Sequence, residues 1–263
     1  MSGFSAVDDS VDPARLVRFL DTAAEAESGM KQYAVAAHAL RRPTRPILDV
    51  GCGAGHDLVL FAAARIEVVG VDASAVMIAT ARQRTAPLRI PVVRAVGERL
   101  PFRDGAFSGC RIERVLMHVD DPRVVVAEAV RCVEHGGLVT VFEPDWSSFA
   151  VRSDVLPECA SWITSARHPD MGARLWTLLE EHGCDVVDRV EELSVWRSLA
   201  TLELVADFPA SVDRAVATGR LGRRDADEWI REQRQRDATG QFYAVISKIQ
   251  VIATKRYPST RPP

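Results

Sequence analysis

Three glycines at alternate positions, directly after a short apolar run, give the clearest chemical signal in this sequence. The run is Ile47–Val50, the glycines are Gly51, Gly53 and Gly55, and apolar residues resume at Leu58. Glycine allows the backbone to approach a ligand closely, and the first turn of a helix presents unpaired N–H groups to negative charge. A strand, a glycine turn and a helix in this order predict a nucleotide-binding loop. A tight strand-to-helix turn without a ligand is the alternative.

The spacing of the glycines distinguishes the kinds of nucleotide loop. A dinucleotide fingerprint needs its third glycine where this chain has His56, and no Lys followed by Ser or Thr completes a phosphate-binding P-loop. An NAD(P)-dependent oxidoreductase is therefore the less favoured alternative. Asp49 followed by Gly-x-Gly-x-Gly instead resembles motif I of the class I S-adenosylmethionine-dependent methyltransferases.

A carboxylate follows the second predicted strand, where a nucleoside site would use one. Asp72 ends that strand, and its two oxygens can accept both hydroxyls of a ribose. The alternative is an aspartate that supports the backbone near Ser74. Together with the glycine run, the sequence favours the ribose role.

Further segments resemble the ubiquinone/menaquinone C-methyltransferase-like small-molecule family (methyltransferase domain 11 type) in order and spacing. They are residues 95–107, with Leu100-Pro101-Phe102 at the centre, then 113–122, 131–137 and 143–146, and the likeness spans residues 45–150. The resemblance implies S-adenosyl-L-methionine as cofactor. It implies cofactor binding by the residues at the motif positions, which are Asp49, Gly51, Cys52, Gly53, Gly55, Asp72, Ala73, Gly97, Glu98 and Arg114.

Three positions depart from the pattern of that family. Val96 stands where the family has an adenine-facing aspartate, so the exocyclic amine is left to Glu98 or a backbone carbonyl, while the Gly97 N–H can serve a ring nitrogen. Ser108 and His135 replace an aspartate and a proline. A non-catalytic or regulatory cofactor-binding protein on the same fold is the alternative that these substitutions favour.

Candidate catalytic residues follow the fourth and fifth predicted strands. Methyl transfer requires an acceptor aligned with the methyl group and, for a hydroxyl or carbon acid, a base that removes a proton. The ordinary pKa of histidine suits such a base, so His118 is a candidate. The alternative is that His118 is a loop residue that orders the 120–122 segment. Glu143 and Asp145 are further candidates for a base or substrate anchor, or else structural turn residues.

The elements that must position these residues alternate along the chain. Strands are predicted at residues 47–50, 67–71, 91–94, 107–112, 138–142, 185–190 and 242–254. Helical patterns separate most of them. The alternation predicts an α/β fold with a doubly wound, mostly parallel seven-stranded sheet, the Rossmann-like architecture of class I methyltransferases. Ligands of such sheets bind beyond the carboxyl ends of the strands, where the strand order reverses.

The chain divides into three predicted regions. Residues 1–45 are an N-terminal helical cap that begins with a disordered lead at 1–12, and 46–150 are the cofactor-binding core. Residues 151–263 form the acceptor pocket, with a helical lid inserted before the last strand. In the cap, Lys31 and Tyr33 are interpreted as surface and packing residues, with a ligand carboxylate as their alternative partner.

Composition limits the partners and the compartment. The chain has 263 residues, a net charge of −3 and five cysteines without a C-x-x-C pair. These features argue against nucleic-acid binding, a metal site and an oxidising compartment, and Cys110 and Cys132 are expected to be buried. No apolar run reaches the ~20 residues that span a bilayer. We expect a cytoplasmic monomer or homodimer, without membrane association, that methylates an oxygen or carbon of a small-molecule acceptor.

Overall fold

The computed structural model describes residues 7–9, 12–156, 164, 166–205 and 208–258. Its strands are β1 (Ile47–Val50), β2 (Val68–Asp72), β3 (Val92–Arg94), β4 (Phe107–Glu113), β5 (Val133–Val151), β6 (Cys184–Trp196) and β7 (Ala244–Lys255). Its helices are α1 (Pro13–Ala26), α2 (Ser28–Leu40), α3 (His56–Ala63), α4 (Ala75–Thr85), α5 (Pro122–Cys132), α6 (Met171–Glu181), α7 (Leu199–Val205), α8 (Phe208–Ala217) and α9 (Arg223–Ala238).

The strands of the described residues form one seven-stranded sheet in the order β3-β2-β1-β4-β5-β7-β6. Strands β1 to β5 pair in parallel, and β7 lies antiparallel between β5 and β6. The predicted doubly wound, mostly parallel sheet is confirmed. Because β1 has β2 on one side and β4 on the other, the chain order reverses at β1. The carboxyl ends of β1 and β4 therefore form the crevice in which such sheets bind ligands.

Three helices begin with a side chain that caps their first turn. Asp12 accepts a hydrogen bond from the Arg15 N–H at the start of α1, and Ser74 accepts one from the Met77 N–H at the start of α4. Asp121 caps α5 in the same way. Each cap satisfies an N–H that the first turn leaves without an intrahelical partner.

Strands β5 and β6 are longer than the sequence predicts. Strand β5 continues through residues 143–151 instead of ending at 142, and β6 continues to Trp196. Beyond the parallel part of the sheet, β7 pairs with both extensions, so that Ala244 lies opposite Val151 and Trp196. Pro144 and the serines after Asp145 hide this extension in the sequence, because they are residues typical of turns.

Two hydrophobic clusters pack against the sheet and its extension. The larger one fills the space between the sheet and helices α5 and α6, and includes the fully buried Cys110 and Cys132, as predicted. The second lies beneath α7, α8 and α9, where Trp229 stacks on Phe208 with ring centroids 4.8 Å apart. Among the described residues, no helix is both long and apolar enough to cross a membrane.

The N-terminal segment differs from the sequence prediction, because part of it is ordered. Residues 7–9, expected to be disordered, form a 3₁₀ turn, and Val7 packs against Ala54 and Met77. Asp8 accepts hydrogen bonds from the backbone N–H groups of Ala75 (2.8 Å) and Val76 (3.2 Å) at the start of α4. The unpaired N–H groups of that helix account for the order of this segment. The rest of the predicted lead, apart from Asp12, lies outside the described residues.

Candidate active site

The glycine turn between β1 and α3 has the geometry that its sequence predicts. Gly51, Gly53 and Gly55 have φ values of +72°, +50° and +83°, in the left-handed region that disfavours other residues. A Cβ atom at Gly51 would lie 2.2 Å from Cγ2 of Val115. The turn therefore needs glycine both for its backbone conformation and for its contact with the loop after β4.

Asp72 joins this turn to the end of β2. Its carboxylate accepts hydrogen bonds from the Gly53 N–H and the Ser74 N–H, each at 2.9 Å. Burial raises the pKa of Asp72 above its ordinary value, and the two N–H donors oppose that rise. Each carboxylate oxygen has two lone pairs, so acceptor capacity remains on both oxygens.

A cavity of about 1060 Å³ lies over the glycine turn, at the carboxyl ends of β1, β2 and β4. This volume is at the upper end of what ligand pockets enclose. Nine of the ten predicted cofactor-binding residues line the cavity, and the exception is Gly55, which packs on Ala81 beneath the turn. The nine are Asp49, Gly51, Cys52, Gly53, Asp72, Ala73, Gly97, Glu98 and Arg114.

One wall of the cavity carries a buried group of charged residues that the sequence analysis missed. Arg111, only 1% exposed, donates hydrogen bonds to Asp57 and to Glu113. Lys31 of α2 binds the same two carboxylates, with 2.7 Å between Lys31 Nζ and Asp57 Oδ1. The sequence does contain a signal for this group, an arginine and a glutamate within an apolar strand, because charged residues that are buried are almost always paired.

Asp49 lies beside this charged group and is itself only 2% exposed. Its Oδ2 has no hydrogen-bond partner among the residues that the structure describes. Burial, and then the neighbouring Asp57, raise the pKa of Asp49 well above its ordinary value. A buried polar atom without a partner is costly, so a ligand that donates a hydrogen bond there would be favoured.

Helix α2 of the cap is attached to the core by two oppositely charged residues. Glu27, at the start of the helix, accepts hydrogen bonds from Arg114, with 3.1 Å between Arg114 Nε and Glu27 Oε2. It also forms an ion pair with Lys248, with 3.0 Å between Lys248 Nζ and Glu27 Oε1. One turn later, Lys31 makes the contacts described above and is 6% exposed, so its interpretation as a surface residue is wrong. Tyr33, by contrast, is exposed and bonds to Asp188 of β6, away from the cavity.

His118 lies in the loop after β4 and lines the cavity, as predicted. Its backbone N–H donates to the Val115 carbonyl at 2.9 Å. Burial, assisted by the positive charge of Arg114, lowers the pKa of His118 to about 4. The imidazole is therefore neutral near pH 7, and the same burial makes it a weaker base than an exposed histidine.

Glu143 and Asp145 do not line the cavity, in contrast to the prediction that they take part in catalysis. The Glu143 carboxylate accepts hydrogen bonds from the N–H groups of Val115 (2.9 Å) and Leu116 (2.6 Å), and burial raises its pKa to about 8. Asp145 accepts from the Ser147 N–H at 3.1 Å. Both contacts are those of the structural alternative, and Glu143 holds the loop that carries His118.

Comparison with known proteins identifies the family. A model of the Methyltransferase domain family (Methyltransf_11) matches residues 48–141. An uncharacterized 37.1 kDa protein in transposon TN4556 of Streptomyces fradiae is 32% identical over 249 residues, which cover 90% of this chain and 70% of that protein. The chain belongs to the methyltransferase family. It is a methyltransferase enzyme with the class I, Rossmann-like fold.

Other similar proteins match different shares of the chain. Demethylmenaquinone methyltransferase of Streptomyces griseus is 33% identical over 119 residues, so the match spans 44% of this chain and about half (51%) of that relative. A crystal structure from Bacillus halodurans C-125, described as that of a methyltransferase, superposes with a TM-score of 0.58 at 17% identity, and covers 84% of this chain and 98% of that one. This second likeness concerns the fold alone.

The departures from the family pattern differ in their relation to the cavity of the enzyme. Val96 lines the cavity and is 50% exposed, next to Gly97 and Glu98. Ser108 lies elsewhere: its hydroxyl donates to Glu134 (2.9 Å) and accepts from the Arg45 N–H (3.0 Å). The replacement of aspartate at residue 108 therefore gives no argument against catalysis, whereas the one at 96 affects the cavity wall itself.

Proposed function

We propose that this enzyme transfers the methyl group of S-adenosyl-L-methionine to an oxygen or carbon atom of a small-molecule acceptor. The observation that carries the proposal is the cavity over the glycine turn, with Asp72 at one end and a neutral histidine, His118, in the same cavity. When bound, the cofactor supplies a methyl group that its positive sulfur has already activated.

The residues of the cavity fit this cofactor. The turn offers close backbone approach at Gly51 and Gly53, where a Cβ atom would meet neighbouring side chains. The free lone pairs of Asp72 suit the ribose hydroxyls, and the unpartnered oxygen of Asp49 suits an ammonium group. Glu98, beside Val96 in the cavity wall, is the candidate for the adenine amine.

The acceptor is expected to bind in the part of the cavity lined by the C-terminal region. Ala166, Ser211 and Arg214 contribute to that lining, Trp146 of β5 lines the same cavity, and α1 packs against α7 nearby. In this arrangement residues 1–45 act as a cap, 46–150 hold the cofactor and 151–263 form the acceptor pocket and lid. His118 would remove the proton from a hydroxyl or carbon acid as the methyl group is transferred.

Calorimetric titration with S-adenosylhomocysteine tests the cofactor site. We expect Asp72→Ala to weaken binding at least about tenfold, because hydrogen bonds to a charged group contribute about 1.5–3 kcal/mol. The affinity of Asp72→Asn, which keeps one acceptor oxygen, should lie between those of Asp72→Ala and the wild type. Thermal unfolding of each variant shows whether the β2 end has kept its structure. Unchanged affinity in a folded Asp72→Ala protein would remove the ribose assignment.

Two other functions predict different binding results. A thermal-shift comparison of S-adenosylhomocysteine with NADH separates a methyltransferase from an NAD(P)-dependent oxidoreductase, and we expect a shift only with the former. A non-catalytic cofactor-binding protein would also give that shift. It would transfer no methyl group from radiolabelled S-adenosylmethionine to any member of a panel of phenols, enols and carboxylic acids.

A further inference from the structure

A buried cation of the N-terminal cap reaches the cavity from outside the segment that the family model matches. Lys31 lies on α2, whereas the model covers residues 48–141. It is the only lysine that lines the cavity among the described residues, and it shares that wall with Asp49 and Glu113. The proposed function assigns Lys31 no role.

The contacts of Lys31 leave it able to bind a further anion. An ammonium group has three N–H donors, and the described structure uses two of them, for Asp57 and Glu113. Arg111 binds the same two carboxylates, so this group pairs two cations with two carboxylates and does not need the third Lys31 donor. A third donor on Lys31 therefore remains for a group in the cavity.

Lys31 and the unpartnered carboxylate of Asp49 stand close enough for their charges to interact. Together they present an N–H donor and an unpartnered carboxyl oxygen to the same cavity. A free amino acid carries the complementary pair, an α-carboxylate and an α-ammonium on one carbon. This pairing distinguishes an amino-acid end from any uncharged substituent of a nucleoside.

We propose that Lys31 binds the α-carboxylate of the methionine part of the cofactor while Asp49 binds its α-ammonium, an inference that rests on the proposed function. The cap thus supplies one half of the recognition and the core supplies the other. Helix α2 must be in place, held by Glu27 and Lys31, before the amino-acid end can bind.

Arg114 is the other cap-bound cation in the cavity wall, and its contacts make it a poorer carboxylate ligand. Its Nε and Nη2 both donate to the two oxygens of Glu27, which is the bidentate geometry that arginine prefers. Its guanidinium also lies over the Phe142 ring, 5.6 Å from the centroid. A ligand would have to disrupt this arrangement to bind Arg114 in the same way.

Two ligands that differ only at the amino-acid end test the proposal. S-adenosylhomocysteine has the α-carboxylate and α-ammonium, and 5′-methylthioadenosine has the same nucleoside and sulfur without them. We expect Lys31→Met to weaken binding of S-adenosylhomocysteine at least about tenfold in calorimetry and to change that of 5′-methylthioadenosine less than about twofold. Lys31→Arg should recover part of the loss, because it retains a cation.

Matched variants make each outcome decisive. Tyr33→Phe alters the same helix away from the cavity and should leave both affinities unchanged. Equal losses for the two ligands in Lys31→Met would overturn the proposal, because they would show a general structural role. Unchanged affinity for S-adenosylhomocysteine would overturn it as well. If the wild type bound neither ligand, the proposed function itself would fail, which is a different result from either of these.

Discussion

At the scale of single residues, burial determines which titratable groups can act near neutral pH. His118 is neutral because burial and Arg114 disfavour its charged form, whereas Glu143 holds its proton to about pH 8 because burial disfavours the carboxylate. The sequence placed both residues after strand ends and left their roles open. It could not separate them, since the environment of each depends on residues distant in the chain.

The proposed base leads to a prediction about pH and turnover. We expect His118→Ala to keep its affinity for S-adenosylhomocysteine and to lower kcat by about 10²–10⁴-fold, the usual contribution of a general base. Because the neutral imidazole is the active form, wild-type kcat/KM should fall on the acid side only as the pH approaches about 4. The measurement is a pH–rate profile with the identified acceptor. An unchanged kcat in His118→Ala would remove the histidine from the mechanism.

At the scale of elements, the turn between β1 and α3 connects the cofactor site to the loop after β4. Gly51 packs against Val115, and Val115 is also held by the Glu143 carboxylate through its N–H. The glycine pattern alone predicted the turn, because left-handed φ values restrict the residue type. The contact with Val115 was not predictable, since Gly51 and Val115 are distant in the sequence and meet only because β1 and β4 are neighbours in the sheet.

Replacing Gly51 tests the coupling of these two loops. We expect Gly51→Ala to destabilise the protein by at least about 1–2 kcal/mol, because of its positive φ and the clash with Val115, and to weaken binding of S-adenosylhomocysteine. The double variant Gly51→Ala with Val115→Ala should recover only the part of the lost stability that is due to the clash. Urea unfolding and calorimetry provide the two measurements.

Gly29→Ala is the matched control for that substitution. Gly29 lies in the first turn of α2, and nothing is within 4 Å of the position that its Cβ would take. Alanine is favoured over glycine in a helix by about 1 kcal/mol, so this variant should be equally stable or more stable. Equal effects of the two substitutions would contradict the assignment of strain and contact to Gly51.

At the scale of the whole molecule, the cap is part of the folded core. Val35 packs in the same hydrophobic cluster as Ile47 and Phe61, and the buried His38 bonds to Thr140 of β5 at 3.1 Å. Burial lowers the pKa of His38 to about 3, so it stays neutral in the folded protein. The cap therefore contributes packing as well as the charged contacts of Glu27 and Lys31.

Removal of the cap should abolish the native state. Each buried side chain such as Met30 or Val35 contributes up to about 1.5–3 kcal/mol, and a folded domain is stable by only about 5–15 kcal/mol. We expect a chain of residues 46–263 to lack a cooperative unfolding transition in near-ultraviolet circular dichroism and to bind no S-adenosylhomocysteine. A cooperatively folded 46–263 protein with wild-type affinity would show that the cap is dispensable.

The sequence by itself determined the sheet, the glycine turn and the position of Asp72, because these depend on local backbone preference and on the periodicity of apolar residues. Only the tertiary structure decided the role of charged side chains. It brought Lys31, Asp57, Arg111 and Glu113 together from α2, α3 and β4, and it turned Glu143 away from the cavity. Charge pairing depends on distances between separate elements, which residue spacing does not encode.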